Sequence, residues 1–519
     1  MTKRYDAGSS LQAKVLAGVD KLADNVASTL GPRGRNVIIQ QKGKRPIITK
    51  DGVTVAEFVD FEDPFENAAA QVIKQASRQT NSVAGDGTTT ATVLSRAILQ
   101  GAVRHIVAGA SPIDVKRDID AGVGVLVENL RSMSRPIQSE EDIAHIATIS
   151  ANNDPTIGKL VAKAVDSVGK DGSISVEEAR SLDTTLDLTE GFRFDSGYAA
   201  SAFITDERRG AVVYEDPLIL VADCKIDKVD DILPVLETVA REGRPLVIIA
   251  SEIEGQALAA LIMNTMRGTM KVAAVKAPRY GEERRNILKD LCLSVGASCG
   301  TKSAGLKLRE MKLKHLGTCK KIEVLKNGTT FVGGSGDYEA IDQQIENLKV
   351  ELSQTDSLKE CERIQERITR LASGVAVIRV GAATEIEMIE KKHRIEDALE
   401  AVRAAQLEGI VPGGGAALIR ALPTASKAYK GSYATVVYKA AEAPLRQMAS
   451  NAGVSPDVIL ERVRKASGGR GWDFKAGAMA DLIDAGVIDP VKVTITALQN
   501  AASAAGTLIT TGHAIIEEE

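Results

Sequence analysis

A chain of 519 residues is too long for one hydrophobic core and predicts two to four domains. Its 44% hydrophobic and 26% charged residues are the composition of a globular, soluble chain and exclude a disordered one. Lys plus Arg number 65 against 69 Asp plus Glu, with no block of like charge, which argues against a nucleic-acid partner and against a polybasic membrane surface. Aromatics are only 3%, so the core falls to Ala, Val, Leu and Ile. Five cysteines, Cys224, Cys292, Cys299, Cys319 and Cys361, match neither a zinc spacing nor a CxxC pair and read as reduced thiols of a cytoplasmic protein. The start, Met1 to Asp6, has no apolar signal core. The uncharged stretch Val493 to Ile516 is long enough to span a bilayer, but Gln499, Asn500 and its many Thr and Ala residues make it a buried small-residue helix, and no membrane segment is expected.

In chain order, Leu11, Val15, Val19, Leu22, Val26 and Leu30 recur at helical spacing until Gly31-Pro32 stops them. Val37-Ile38-Ile39 and Ile47-Ile48-Thr49 predict a hairpin around Gly43, running into Lys50-Asp51-Gly52, a turn. Helical patterns cover Phe65 to Ser82 and Thr88 to Ala108, and between them stands Gly85-Asp86-Gly87-Thr88-Thr89-Thr90. Glycine lets backbone approach a ligand, and a helix opening there turns its free N–H groups and dipole toward an anion. Asp86 beside such a phosphate seat is a suitable oxygen ligand for Mg²⁺ arriving with phosphates. Taken alone, the six residues are more often an ordinary glycine turn followed by a helix cap than a phosphate seat.

Helix follows helix to about residue 132, and near Arg135-Pro136 the texture changes to shorter helices and the alternating Ser173 to Val176. From about 190 the pattern is β-α-β-α-β, with strands Leu218 to Ala222, Leu246 to Ala250 and Val272 to Lys276, hence a parallel sheet covered by helices. No GxGxxG follows the first strand, where Asp223-Cys224-Lys225 stands, so a dinucleotide site is not supported. Ala257 to Met263 are seven consecutive apolar residues on one helix. A sheet can cover one side of them, and the other needs a further layer or remains an exposed groove, which Leu233 and Leu236 could join. Tyr338 to Leu371 predicts two antiparallel helices broken near Ser353 to Ser357, then come a buried strand at 374–380 and a charged helix from Glu385 to Gln406 carrying Asp397. Val411-Pro412-Gly413-Gly414-Gly415 is a second glycine-rich turn opening a helix, and the end of the chain reads as all-helical, like its start. This palindromic order predicts a multi-domain α plus α/β protein with one domain inserted into another, inserted into a third.

Thr29 to Val37, Thr49 to Val53, Gly85 to Thr90, Ile149-Ser150-Ala151-Asn152, Val380 to Glu385 and Pro412 to Gly415 together resemble the signature segments of GroEL-like group I chaperonins, in register from about residue 10 to about 511. The resemblance implies an all-helical equatorial ATPase domain (1–132 and 408–519), a small mixed intermediate hinge domain (133–189 and 376–407) and an α/β apical polypeptide-binding domain (190–375). It implies a seven-subunit homo-oligomeric ring, single or double, that uses ATP, Mg²⁺ and K⁺ to fold non-native polypeptide clients in a chamber, with a GroES-like co-chaperonin as partner.

By position, the resemblance places Thr29, Leu30, Gly31, Pro32, Lys50, Gly52 and Ser150 around the nucleotide. Gly87, Thr88, Thr89 and Thr90 hold phosphates, and Asp86 binds Mg²⁺. Gly413, Gly414, Asp473, Val487 and Asp489 surround base and ribose, while Thr29, Lys50 and Thr89 border the K⁺. Asp51 and Asp397 become the catalytic acids that orient the attacking water, Asp397 reaching the phosphates only when the hinge swings down. Client and co-chaperonin share a groove of Tyr198, Phe203, Leu233, Leu236, Leu258, Ile262 and Met263.

The chain also departs from that family pattern. Ser196 stands for an Arg that pairs with the acid here numbered Glu385, Ala202 for a groove Tyr, and Ser455 for an acid set opposite Arg446 between rings; the Gly-Gly-Met tail is missing. A metabolic kinase would share the phosphate seat, but no GxxxxGK[ST] is present. A nucleotide-regulated ring scaffold without folding activity would keep the fold, yet Asp51, Asp86 and Asp397 are all intact.

Overall fold

The computed structural model describes residues 2–40, 46–168, 173–179, 181–300, 307–355, 357–372 and 374–518. The chain divides into two compact units, one of Met1–Lys163, Arg180–Asp183 and Val380–Glu519, the other of Ala164–Ala179 and Thr184–Arg379. Both ends of the chain therefore build the first unit, and the second is an insertion.

The first unit is a helical bundle around Val491–Thr510, against which Pro64–Ala84, Thr88–Val107 and Pro112–Met133 pack. Its residues Val493, Ile495, Leu498, Ala501, Ala502, Ala505 and Leu508 are all buried, so the uncharged stretch is a core helix as far as Thr510, made of small residues so that three helices can approach it at once, and its last residues belong to a strand. No helix among the described residues is long and apolar enough to cross a membrane. Around this core Gly8–Ala27 buries the expected stripe of Leu11, Val15, Val19, Leu22 and Val26, each large side chain contributing about 1.5 to 3 kcal/mol. Residues 133–163 and 380–407, expected in a separate hinge domain, count with this unit.

Two expectations are corrected here. Lys50-Asp51-Gly52 is more than a turn: Asp51 caps a seven-residue helix, Gly52–Phe58, too short to declare itself by periodicity. The chain ends are not all-helical, because Thr2–Ala7 pairs antiparallel with His513–Glu518, Tyr5 opposite Ile515. Val37–Ile39 and Ile47–Thr49 form the predicted hairpin, and its turn around Gly43 lies outside the described residues.

The second unit holds, among the described residues, a nine-stranded sheet in the order Ser173–Glu178, Gly374–Val380, Thr185–Phe194, Thr329–Gly334, Gly317–Val324, Leu218–Ile226, Leu246–Ile253, Val272–Lys276, with Val212–Glu215 also paired to Gly317–Val324. The last three strands of that order are parallel, in register Leu218 with Leu246 and Leu246 with Val272, as the alternation predicts. Their crossovers are the helices Val229–Glu242 and Gly255–Met266. The helices Tyr338–Gln354 and Leu358–Ala372 form the expected pair. Arg367 anchors the second of them to the helix Gly281–Val295 by two 2.8 Å bonds to the fully buried Asp290 carboxylate, a bidentate pair that leaves neither charge uncompensated.

Candidate functional site

Within the first unit lies a cavity of about 480 Å³. Its floor is the glycine turn. The helix Pro64–Ala84 ends on Gly85 with φ of 74°, and the next helix begins after Gly87 with φ of 89°. A Cβ on Gly85 would lie 2.0 Å from the Glu400 Cβ, and one on Gly87 would lie 2.8 Å from Val493 Cγ1, so both positive dihedral angles and close packing demand glycine. The new helix turns its first N–H groups, at Thr88, Thr89 and Thr90, toward the cavity those residues line.

Asp86, between the glycines, accepts a hydrogen bond from the Gly87 N–H and one of 3.0 Å from Ser150 Oγ. Enclosure by protein pushes its pKa up, those two donors pull it down and the nearby Asp51 charge pushes it up again, with a net rise. Burial, reinforced by the negative charge of Asp86, raises the pKa of Asp489 to about 7. Two carboxylates facing one cavity and resisting ionisation are a donor set that a cation would satisfy. Lys50 is nearby, its pKa lowered by burial, and its Nζ donates to the Gly31 carbonyl at 3.0 Å. The Thr29 and Thr89 hydroxyls lie 3.4 Å apart. The helix Glu385–Glu408 contributes Asp397 to the lining of the same cavity as Asp51. Asp51 is committed locally: its carboxylate accepts from the Val53 and Thr54 N–H groups at 3.1 Å each and from Thr54 Oγ1 at 2.6 Å.

The second unit has a different surface. On the helix Gly255–Met266 Ala257 and Leu261 are buried, whereas Met263 is 48% and Met266 76% exposed. The helix is therefore not a central core element, and one apolar side faces out. Leu233, on the preceding helix, is 44% exposed, and Tyr198, Leu258 and Ile262 are half-buried. Two assignments are corrected. Leu236 is 8% exposed, because it shares the inward stripe of Ile232, Val235 and Val239. Phe203 is wholly buried, because the short 3-10 turn Ser201–Phe203 points Ala202 outward and Phe203 into the core.

The sequence model of the TCP-1/cpn60 chaperonin family matches residues 22–519. The chain belongs to the TCP-1/cpn60 chaperonin family. Among solved structures it resembles the chaperonin gp146 from bacteriophage EL 2 (Pseudomonas aeruginosa), determined in the presence of ATP-BeFx. The TM-scores are 0.68 for crystal form II and 0.62 for form I, each at 22% identity over 99% of both chains. At that identity the likeness establishes the chaperonin fold, multi-domain α and α/β.

In this chaperonin every nucleotide-site residue expected from the sequence lines the cavity except Gly413. Gly413 instead packs behind it, its N–H donating to the Val487 carbonyl at 2.8 Å, and an added Cβ would stand 2.9 Å from the Asp489 carboxylate. Asp473 uses its carboxylate to cap its own turn, accepting from the Lys475 and Ala476 N–H groups. Sequence reasoning missed His145, Glu390, His393 and Arg394, all of which line the cavity. Arg394 bonds Asp154 at 3.1 Å and Glu390 at 2.8 Å. Its place one turn before Asp397 was the available signal.

A pH dependence follows from Asp489. An unfolded Asp loses its proton near pH 3.9, whereas in the fold Asp489 keeps it up to about 7. Between those values the native chain binds more protons than the unfolded one, so the stability of the ligand-free fold falls as pH rises through the window. Asp489→Asn removes this contribution and is expected to raise the unfolding temperature more at pH 8 than at pH 5. Equal shifts by scanning calorimetry at both pH values would contradict the burial of this acid.

Proposed function

We propose that this chain is the subunit of a group I chaperonin: an ATPase that assembles into a seven-membered homo-oligomeric ring, captures non-native polypeptides and releases them for folding in cycles driven by ATP hydrolysis, in the cytoplasm. The observation that carries the reading is the convergence of Asp51, Asp86 and Asp397 on one cavity floored by the Gly85–Thr90 turn. The helix N-terminus at Thr88 to Thr90 holds the phosphates by N–H groups, and Gly31, Pro32, Gly414 and Val487 bound the rest of the nucleotide. Asp86 is the anchor for Mg²⁺, which, when bound, neutralises charge on the transferring phosphoryl group. Among the described residues no three His, Cys, Asp or Glu side chains form a metal cluster, so the phosphates and water complete its shell. Thr29, Lys50 and Thr89 offer hydroxyl and carbonyl oxygens on the side where K⁺ belongs. Asp51 and Asp397 orient the attacking water by position more than by basicity.

Replacing Asp86 by Ala removes the protein's hold on the metal and is expected to weaken Mg-ATP binding by about tenfold or more, about 1.4 kcal/mol. Calorimetric titration with Mg-ATP checks it, and unchanged affinity together with normal hydrolysis would mean that the phosphate seat lies elsewhere.

The apolar side of the helices Val229–Glu242 and Gly255–Met266 is the surface assigned to clients and to a GroES-like co-chaperonin. Ring pairing is assigned as weaker than the family norm. Ser455 carries no charge, and Arg446 is already bonded within its own chain, to Glu442 at 3.0 Å and Asp457 at 2.7 Å. A wet ion pair is worth at most about 1 kcal/mol, so the effect depends on sevenfold repetition. Mass photometry at submicromolar concentration is expected to reveal single rings, or a mixture that shifts with ATP; only fourteen-subunit particles in every condition would contradict it.

A further inference from the structure

The helix Glu140–Ser150 runs along the nucleotide cavity with both of its ends tied down. At its start the Asp142 N–H donates to Ser139 Oγ at 3.2 Å, and the buried Asp142 carboxylate accepts two bonds from Arg135, at 2.9 and 3.1 Å. Arg135 in turn exchanges backbone bonds with Ile410, at 3.0 and 2.8 Å, and Ile410–Pro412 pairs with Ile488–Pro490. At its end Ser150 Oγ donates to Asp86 at 3.0 Å. Helix and facing wall therefore share one frame, which fixes the side chains between them.

His145, in the middle of this helix, lines the cavity and rests on Gly486. The φ of Gly486 is 70°, and an added Cβ there would stand 2.6 Å from His145 Cγ and 2.7 Å from Cδ2 and Nδ1, so only glycine leaves room for the ring. The turn beneath the ring is itself fastened: the Gly486 N–H donates to the Ile483 carbonyl at 3.0 Å and the Val487 N–H to the Leu482 carbonyl at 2.7 Å. Glu141, one helical turn earlier, brings its exposed carboxylate only to 3.9 Å from His145 Nε2, beyond hydrogen-bond reach. A neutral imidazole offers one donor and one acceptor, and here that capacity is turned to the contents of the cavity.

We propose that His145 is a specificity-determining residue that hydrogen-bonds the nucleoside half of the bound nucleotide, at a ribose hydroxyl or at the edge of the base.

The assignment rests on the nucleotide reading of the cavity and follows from spacing along one helix. Ser150, bonded to Asp86, marks the end where the Gly85–Thr90 turn takes metal and phosphates. His145 stands five residues earlier, about 7.5 Å along the axis at 1.5 Å per residue, which carries it past the phosphates. There it meets the turn that supplies Val487 and leads to Asp489, both of which line the cavity. A ligand hydroxyl or ring nitrogen buried against His145 is paired; against an apolar replacement it would be stripped of water with no partner, which lowers affinity for that ligand alone.

The experiment measures Mg-ATP binding and steady-state hydrolysis by the purified full-length protein, unmutated and as His145→Ala and His145→Gln. In His145→Ala the Kd and KM for ATP are expected to rise about fivefold, the worth of one neutral hydrogen bond, while kcat changes by less than about twofold. His145→Gln, whose amide offers a donor and an acceptor on a side chain of similar reach, is expected to recover most of the loss. Mg-complexes of 2′-deoxy-ATP and 3′-deoxy-ATP probe the sugar, and Mg-GTP probes the base. The analogue altered at the group that His145 reads is expected to lose its disadvantage against ATP in His145→Ala. Unchanged ATP affinity in a folded His145→Ala, or a loss equal for ATP and all three analogues, would overturn the assignment. So would a fall in kcat as large as the rise in KM, the mark of a disturbed helix and a displaced Ser150. An unmutated protein that binds no Mg-ATP would overturn the nucleotide reading itself, and this assignment with it.

Discussion

Asp397→Ala is expected to slow ATP hydrolysis by about a hundredfold or more while ATP affinity stays within about tenfold, about 1.4 kcal/mol. The reason is where Asp397 sits. Its neighbours Ile395, Glu396, Ala398 and Leu399 are all buried, which fixes the helix Glu385–Glu408 and with it the carboxylate that lines the cavity. A group held that firmly can hold one water in line with the phosphate, and misplacing such a water costs rate without costing ground-state binding. Asp51 is a poorer subject for the same test, because its carboxylate caps the helix Gly52–Phe58, and removing it also costs about 1 kcal/mol of local structure. Single-turnover hydrolysis beside equilibrium nucleotide binding separates the two effects. An equal loss of both would remove Asp397 from the chemistry.

Placing Ser at Ile262 and Met263 together is expected to abolish capture of a denatured protein while ring assembly and basal hydrolysis remain. Leu258→Ser is expected to act in the same direction, more weakly. Each large apolar side chain buried against a client is worth about 1.5 to 3 kcal/mol, and a ring offers several copies to one chain, so the loss compounds. Met263 already stands in solvent at 48% exposure, so replacing it does not empty a core site. Leu236 and Phe203 would be misleading choices, since both are core and their loss unfolds the unit before it tests binding. Co-sedimentation or light scattering with a denatured client reads the effect; unchanged capture by a folded variant would move the client surface elsewhere.

The helices and the parallel strands were legible because their periods, 3.6 and 2, are local properties, and the turn between two helices at 85–87 was legible because glycine takes the positive φ values found there at little cost. The terminal strand pair was not, since Tyr5 meets Ile515 across nearly the whole chain and neither strand alternates cleanly. The inward turn of Phe203 depended on the register of a three-residue 3-10 turn, which no pattern announces. His393 and Arg394 escaped notice because the helix Glu385–Glu408 is charged on several sides in its first half, which hides the face it presents to the cavity. The raised pKa of Asp489 comes from burial beside Asp86, roughly 400 residues earlier in the chain, a long-range effect of folding.

The most direct test of an ATP-driven folding cycle is the native yield of a chemically denatured client diluted into the purified protein with and without Mg-ATP. The expected result is arrest of refolding without nucleotide, recovery of activity on adding Mg-ATP, and recovery slowed in proportion to hydrolysis in Asp397→Ala. A client that refolds equally well with and without the protein, or a yield indifferent to Mg-ATP, would contradict it.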